Sequence, residues 1–518
     1  MDDPSALNHL VVTLLTNVDL MINSLVDSKK KEFNLDHNNK HWIAIKPPVY
    51  AFFFHLLHFF KQILEPEMKT FILKSLEKIL KYMLPFKKLQ KLYLKRMLQI
   101  WSDPTTPDKP RILAFLILCR MLVQFPYPFI NKCLKGIYIY YINTAKFVSE
   151  KTLAVDAFMR NCIVEVYSVD FVSSYQHAFV YIRELAQQLR KAYQTHTRDR
   201  YKAIYSFQYL HSIKVWVQLV TKFPTQKELG LLCYPLIQLL HGMICLNTIP
   251  AYFPMRLHCV ELLNHLANAS KVFTNGSFYL LEILSSKELL DKPKPSMAKQ
   301  FSLKYHIKVP PNIFATRIYQ NTIFEQTIFL LTEYLAIFSS SIAFPELCVF
   351  VLSSLRKFRK KCSNPIFCKQ VKLLLTKIEL TVKLIQAKRA QLEFSPDQLA
   401  SIPKYLCDNN TPLYLYYQDL ARSRSKEQDL LSNRSSNVAE TPSITDTAKS
   451  HPSRSRLGKD SNVTGNPSTV DTVKPRPSLN RARKKTLSMR LVSRVRKHNN
   501  SNEDIVQDTN DTLLDTKQ

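Results

Sequence analysis

Lys87, Lys91 and Lys95 recur at every fourth residue after Pro85, with Lys88 and Arg96 beside them, and on a helix that spacing stacks their charges along one face. A second basic group, Arg356, Lys357, Arg359, Lys360 and Lys361 (RKFRKK), ends a helical stretch just before Asn364. A third, Arg481, Arg483, Lys484 and Lys485 (RARKK), is followed by Arg490, Arg494, Arg496 and Lys497. The chemistry open to such groups is phosphate contact, because each phosphate neutralised releases counterions and adds sequence-independent affinity. For the first two groups a solvated helix face is the plainer reading, helped in the second by the preference of cations for a helix C-terminus. The whole chain weighs toward contact: 72 Lys and Arg against 41 Asp and Glu give a net charge of +31, which implies a polyanionic partner such as RNA. The third group reads as a nuclear or nucleolar import signal, the alternative being an incidental basic low-complexity segment. Thr486 and Ser488 lie beside it, and phosphate added there would weaken the patch.

Other chemistry finds little support. The chain has 6 glycines, four of them in its apolar body at Gly136, Gly230, Gly242 and Gly276, and no two of those are close enough to build a phosphate-cradling loop. Dinucleotide loops, P-loops, kinase glycine loops and the GxSxG elbow are therefore excluded. No His precedes Glu in the HExxH manner, and the pair His55 and His58 lacks a third ligand. Ten cysteines form no CxxC pair, and the closest two are Cys362 and Cys368, so they read as reduced, buried thiols of an intracellular protein. Residues 1–27 carry acidic side chains and no basic start, unlike a cleavable signal. The expectation is no catalytic residue, no cofactor, no metal and no small-molecule substrate. No membrane partner is expected either, since Arg120 sits inside the apolar run Ile112 to Ile130, and His55, His58, Lys61 and His241 interrupt the others.

These basic faces need helices to carry them. Hydrophobic residues make up 46% of the chain, enough to bury a large core. From Ser5 to Leu420, apolar helical stretches alternate with breaks near Pro47, Pro66, Pro85, Pro104, Pro126, Pro224, Pro250 and Pro345. Tyr175, Ala178, Phe179, Ile182, Leu185, Ala186, Leu189 and Tyr193 predict one amphipathic helix with a wide buried stripe. Val371, Leu374, Ile378, Val382, Ile385 and Leu392 predict another between Ser363 and Phe394, with Lys372, Lys377, Lys383 and Lys388 off the stripe. The spacing of breaks suits an all-α fold, a HEAT- or armadillo-like α-solenoid with a repeat of about 40 to 47 residues, with a closed irregular helical domain as the alternative. The expected layout is an N-terminal helical segment over 1–48, a helical repeat body over 49–290, an extended proline-marked connector over 291–315, a C-terminal helical region over 316–420 and a disordered basic tail over 421–518. The tail is assigned on composition, because no aromatic residue follows Tyr417.

Particular strings go further than composition. CLKGIYIYYINTAKFVSEKTLAVDAFMRN from Cys133, SSYQHAFVYIRELAQQLRKAY from Ser173 and YSFQYLHSIKVWVQLV from Tyr205 resemble the nucleolar complex protein 2 family. So do YPLIQLLHGMICLNTIPAYFPMRLHCVELLNHL from Tyr234, TRIYQNTIFEQTIFLLTEYLAIFSSSIAFPEL from Thr316 and QLEFSPDQL from Gln391. The resemblance runs in order from about Trp101 to Leu399. It implies a HEAT-like scaffold of the nucleolus and nucleoplasm, without catalytic activity, that assembles and moves precursors of the large (60S) ribosomal subunit. Its implied partners are nucleolar complex protein 1 and protein 3 homologues and pre-60S particles, with pre-rRNA contact and rRNA processing as the setting. Members of that family usually carry a long charged N-terminal extension, which this sequence lacks, and the tryptophan of their YSWQ-type string is Phe207 here. An import function housed in such an extension would then fall to the Arg481 to Lys497 tail. The motif side chains Tyr175, Phe179, Tyr252, Phe253, Arg256, Phe344 and Pro345 are mostly large and apolar, and fit core packing or partner contact. A nuclear chromatin or histone-binding transcriptional adaptor is the alternative function; a transport receptor's usual acidic surface conflicts with the charge.

Overall fold

A computed structural model of the chain describes residues 4–26, 40–295, 301–391 and 410–439. These residues are all-α. The first half comprises α1 (Pro4–Val26), α2 (Lys40–Gln62), α3 (Pro66–Ile79), α4 (Lys87–Ser102), α5 (Asp108–Gln124), α6 (Phe129–Thr144), α7 (Glu150–Tyr167), α8 (Phe171–Thr195), α9 (Arg198–Ile204) and α10 (Phe207–Lys222). The second comprises α11 (Lys227–Gly230), α12 (Cys233–Leu246), α13 (Phe253–Ser270), α14 (Ser277–Leu284), α15 (Lys287–Leu290), α16 (Arg317–Ile337), α17 (Phe344–Lys361), α18 (Pro365–Ala390) and α19 (Pro412–Ala439). Strand-like pairing among the described residues is confined to an isolated parallel bridge between Lys294 and Thr316.

Local chemistry sets where these helices begin. Ser149 and Thr152 form a reciprocal capping box at α7. Asp170, Ser206, Thr316 and Asn364 each accept a backbone N–H at the starts of α8, α10, α16 and α18. Proline occupies the first turn of α3, α13, α17 and α18, where its missing N–H costs nothing. At the C-termini of α8 and α13 the left-handed cap is taken by His196 (φ 46°) and Lys271 (φ 57°) rather than by glycine.

Packing proceeds mainly between elements near in sequence. α4 lies on α5 and α6, α8 on α12, α10 and α12 on α13, and α13 on α16. Further on, α14 touches α16 and α17, α17 pairs with α18, and α19 covers α16 and α18. α10, α13 and α16 are buried on nearly every side, which explains why they lack the polar face of a surface helix. Trp101, Trp216, Tyr334, Phe324 and Phe344 are fully buried, and Phe324 stacks on Phe367 of α18 with ring centroids 3.9 Å apart. The apolar segments 42–62 and 227–246 are long and apolar enough to cross a membrane; 28% and 50% of their apolar stretches lie buried within the fold. Arg120 of the apolar α5 pairs with Glu77 of α3 at 2.9 Å.

Three expectations are revised. The break expected near Pro47, at the 48/49 segment boundary, lies inside α2, which runs through Pro47 and Pro48. The stripe of α8 is narrower than its sequence implies: Ala178, Ile182, Leu185, Leu189 and Ala192 are buried, whereas Phe179, Ala186 and Tyr193 are exposed. A helix buries only the arc its neighbour covers, and α12 is slim at the contact because it brings Gly242 against Leu189, where a Cβ would lie 2.8 Å from Leu189 Cδ2. The tail boundary at 420 falls inside α19, which continues to Ala439. α19 is anchored without aromatics beyond Tyr417: the guanidinium of Arg424 lies over Phe329 at 4.3 Å and bonds Gln326.

Candidate functional site

α4 presents Lys87, Lys88, Lys91 and Lys95 to solvent, opposite a buried face of Leu89, Tyr93, Leu94, Met97 and Trp101. Tyr93 fixes the helix in place by donating to the Phe53 carbonyl of α2 at 2.7 Å. Arg96 does not join the lysines. Its guanidinium sits over the Phe60 ring at 5.6 Å, half-buried, so it packs α4 on α2 and is poorly placed for a ligand.

The second group is split by its helix. Arg356 faces α18 and pairs with Glu379 at 2.7 Å. Lys357 and Lys361 face the other way, into a groove between α14 and α17. Arg359, Lys360 and Lys361 stand exposed in the last turn of α17, where the helix dipole favours them. The paired α17 and α18 hold eleven Lys or Arg between residues 344 and 390 and only two acidic residues. Both acids are already engaged, Glu379 by Arg356 and Glu346 by Arg389 at 2.7 Å. Lys369, Lys372 and Lys383 add to the exposed charge of α18. α4 and α17 have different principal neighbours, so the two basic faces belong to separate parts of the helix array. The third group, Arg481, Arg483, Lys484 and Lys485, lies outside the described residues, as do Thr486 and Ser488.

Sequence spacing gives no sign of one further constellation. Asp156 of α7 accepts from the Tyr141 hydroxyl of α6 at 2.7 Å, meets Nδ1 of His211 of α10 at 2.9 Å, and is ion-paired with Arg160. Burial lowers the pKa of His211, so the ring is neutral at pH 7 and donates Nδ1–H to the carboxylate. Burial alone would raise Asp156, but its hydrogen bonds from His211 and Tyr141 and the charge of Arg160 outweigh that and hold it below the usual carboxylate range. Tyr141 and His211 are 0% and 2% exposed, and the adjoining cavity of about 40 Å³ has room for a water or two, not a substrate. Chemically this is an internal clamp. Among the described residues no three His, Cys, Asp or Glu side chains form a metal-binding group, and His55 and His58 both stand exposed on α2. Of the motif side chains, Phe253, Arg256, Phe344 and Pro345 are buried, Arg256 being held by Glu282 at 2.8 Å.

Several known proteins are similar to this chain. The chain is 30% identical over 432 residues to nucleolar complex-associated protein 2 of Arabidopsis thaliana, an alignment covering 82% of this chain and 56% of that protein. It is 30% identical over 386 residues to nucleolar complex protein 2 of Drosophila melanogaster, covering 74% and 50% respectively. An uncharacterized NOC2 family protein of Schizosaccharomyces pombe is 25% identical over 445 residues. The chain thus spans about half the length of the first two relatives it matches. The family model matches residues 128–420, from α6 to α19, which takes in the clamp and the α17–α18 face but not the lysines of α4, and by that match the chain belongs to the Noc2p family.

Proposed function

We propose that the chain is a non-enzymatic scaffold in biogenesis of the large (60S) ribosomal subunit, working in the nucleolus and nucleoplasm. In this reading its helices stack as a HEAT-like solenoid. It forms heterodimers with nucleolar complex protein 1 or protein 3 homologues, accompanies pre-60S particles during rRNA processing, and supports their intranuclear transport. Packing of each helix on those near it in sequence supports the solenoid, since that is how repeat scaffolds bury their faces. The relatives' names, which place them in nucleolar complexes, support the setting. The observation that carries RNA contact is the α17–α18 pair, where both carboxylates are neutralised and a row of lysines is left facing solvent. Lys87, Lys88, Lys91 and Lys95 form the second proposed contact, and Arg481, Arg483, Lys484 and Lys485 the import signal.

Gradient sedimentation of cell extract, with and without ribonuclease, tests the reading. The chain is expected to travel with large-subunit precursors and to leave them after ribonuclease treatment. Recovery on chromatin that survives ribonuclease would instead favour the histone-binding adaptor. Deleting residues 481–497 is expected to redistribute the protein to the cytoplasm; wholly nuclear protein after that deletion removes the import assignment.

A further inference from the structure

Where α14 crosses α17, the two helices leave an open groove of about 270 Å³ between them. Phe278 of α14 and Phe350 of α17 both line it, 50% and 57% exposed, although large aromatics usually find cover in a folded core. Leu281, Leu290 and Phe358 are also part of its lining and are largely withdrawn from solvent. The rim carries Lys357 and Lys361, one turn apart, and neither has a carboxylate partner among the described ion pairs. One carboxylate does border the groove, Glu282, but Arg256 already binds it at 2.8 Å, with its guanidinium stacked over Phe253 at 5.5 Å. The groove is therefore apolar inside and positive at its edge. Its volume sits just below the roughly 300–1,000 Å³ of small-molecule sites, and its flanks are open, as suits a row of side chains from a longer ligand.

We propose that this groove docks an acidic amphipathic helix of a partner protein, whose apolar residues at positions i, i+3 or i+4, and i+7 enter between Phe278 and Phe350 while its carboxylates meet Lys357 and Lys361. The helix-in-groove mode needs only these parts: two walls of side chains, an apolar bed and a charged margin that fixes orientation. RNA is a poor fit for the same place. Bases stack on exposed aromatic faces backed by a continuous basic track, whereas here the aromatics line an apolar slot with two cations on one side. The proposal rests on the scaffold reading only in making the occupant another protein.

The test uses the full chain in cells, with benzoyl-phenylalanine in place of Phe350 or, separately, of Phe278. After irradiation, the crosslinked peptide is identified by mass spectrometry. The expected result is a segment of a different protein, rich in Asp and Glu, with large apolar residues at helical spacing. Adding Lys357→Glu and Lys361→Glu is expected to cut that crosslink by roughly tenfold, with melting temperature unchanged because both side chains are exposed. Crosslinking to RNA, crosslinking to a second copy of this chain, absence of a crosslink from both positions, or a yield indifferent to charge reversal would each overturn the proposal. The same cells are fractionated on gradients. Absence of a crosslink from both positions before charge reversal, with pre-60S sedimentation intact, sinks the groove alone, and a crosslink to an acidic helix without pre-60S sedimentation sinks the ribosomal reading alone.

Discussion

Tyr141 on α6 and Asp156 on α7 are joined by a 2.7 Å hydrogen bond, and the same carboxylate reaches His211 on α10 and Arg160 on its own helix. Three helices from the start of the Noc2p-matched region therefore meet at one ionised group that water hardly reaches. Such a group fixes register, because a slip of any one helix strands a charge in the interior. Tyr141→Phe, which removes one donor while keeping the ring, is expected to lower stability by about 1–3 kcal/mol. Asp156→Ala, which leaves Arg160 without its partner, is expected to cost about 3–5 kcal/mol. Denaturation midpoints of the two variants and of the pair together check this. Strict additivity would mean that the hydroxyl and the carboxylate do not act as a unit.

His211 makes the clamp sensitive to acid. Its folded pKa is lowered by burial, whereas the unfolded chain titrates near the ordinary value of 6.5. As pH falls below about 6.5 the unfolded state takes up a proton that the folded state refuses, so stability declines until folded His211 also titrates. The half-buried His177 and His241 shift the same way and add to the slope. Asp156, held low, contributes stability above the usual carboxylate range that is lost at far lower pH. His211→Asn, keeping a donor toward Asp156, is expected to flatten the fall in stability between about pH 6.5 and 5.5 by up to ~1.4 kcal/mol per pH unit. An identical slope in wild type and variant would show that His211 is already free to protonate.

The two non-glycine left-handed caps carry a cost that substitution can relieve. Lys271 ends α13 at φ 57°, with its side chain exposed. Lys271→Gly is expected to raise stability by about 0.5–1 kcal/mol, since the strain removed exceeds the entropy glycine adds to the unfolded chain. Ser270→Gly, one residue earlier and still helical, is expected to do the reverse by about the same amount. Thermal melts of the two variants decide it, and a destabilised Lys271→Gly would mean that the contact of Lys271 with Asn268 matters more than the backbone.

Legible in the sequence is whatever repeats along one helix. Val371, Leu374, Ile378, Val382 and Ile385 read as a stripe and turn inward together, all buried but the half-buried Val382, with Leu392 outside the described residues, and Lys87, Lys91 and Lys95 read as a face and stand exposed as one. Hidden from it is whatever depends on neighbours distant along the chain. Asp156 and His211, or Phe278 and Phe350, share no local period and come together only through packing. Adjacency alone groups Arg96 with the lysines, yet it lies where α2 brings Phe60 against it. Composition stops α19 short at 420, because it registers the loss of aromatics and not an arginine that uses Phe329 of another helix as its anchor.

That difference between Arg96 and its neighbours separates phosphate contact from packing in an RNA-binding measurement. Replacing Lys87, Lys91 and Lys95 by Glu is expected to weaken binding of a single-stranded RNA oligonucleotide and to reduce the slope of log affinity against log salt by about 0.7 for each phosphate no longer neutralised. Arg96→Met, which keeps the stem over Phe60 and removes the charge, is expected to leave both affinity and slope nearly unchanged. Replacing Lys369, Lys372 and Lys383 by Glu on α18 should act like the α4 lysines, because the two carboxylates of that helix pair are already bound to Arg356 and Arg389 and cannot mask them. Fluorescence anisotropy across a salt series gives all three slopes. If only the α18 set moves its slope, the α4 lysines are a solvated face, and RNA contact is confined to the Noc2p-matched region. If Arg96→Met moves its slope as much as the lysines do, the guanidinium leaves Phe60 to reach phosphate, and it does not serve to pack α4 on α2.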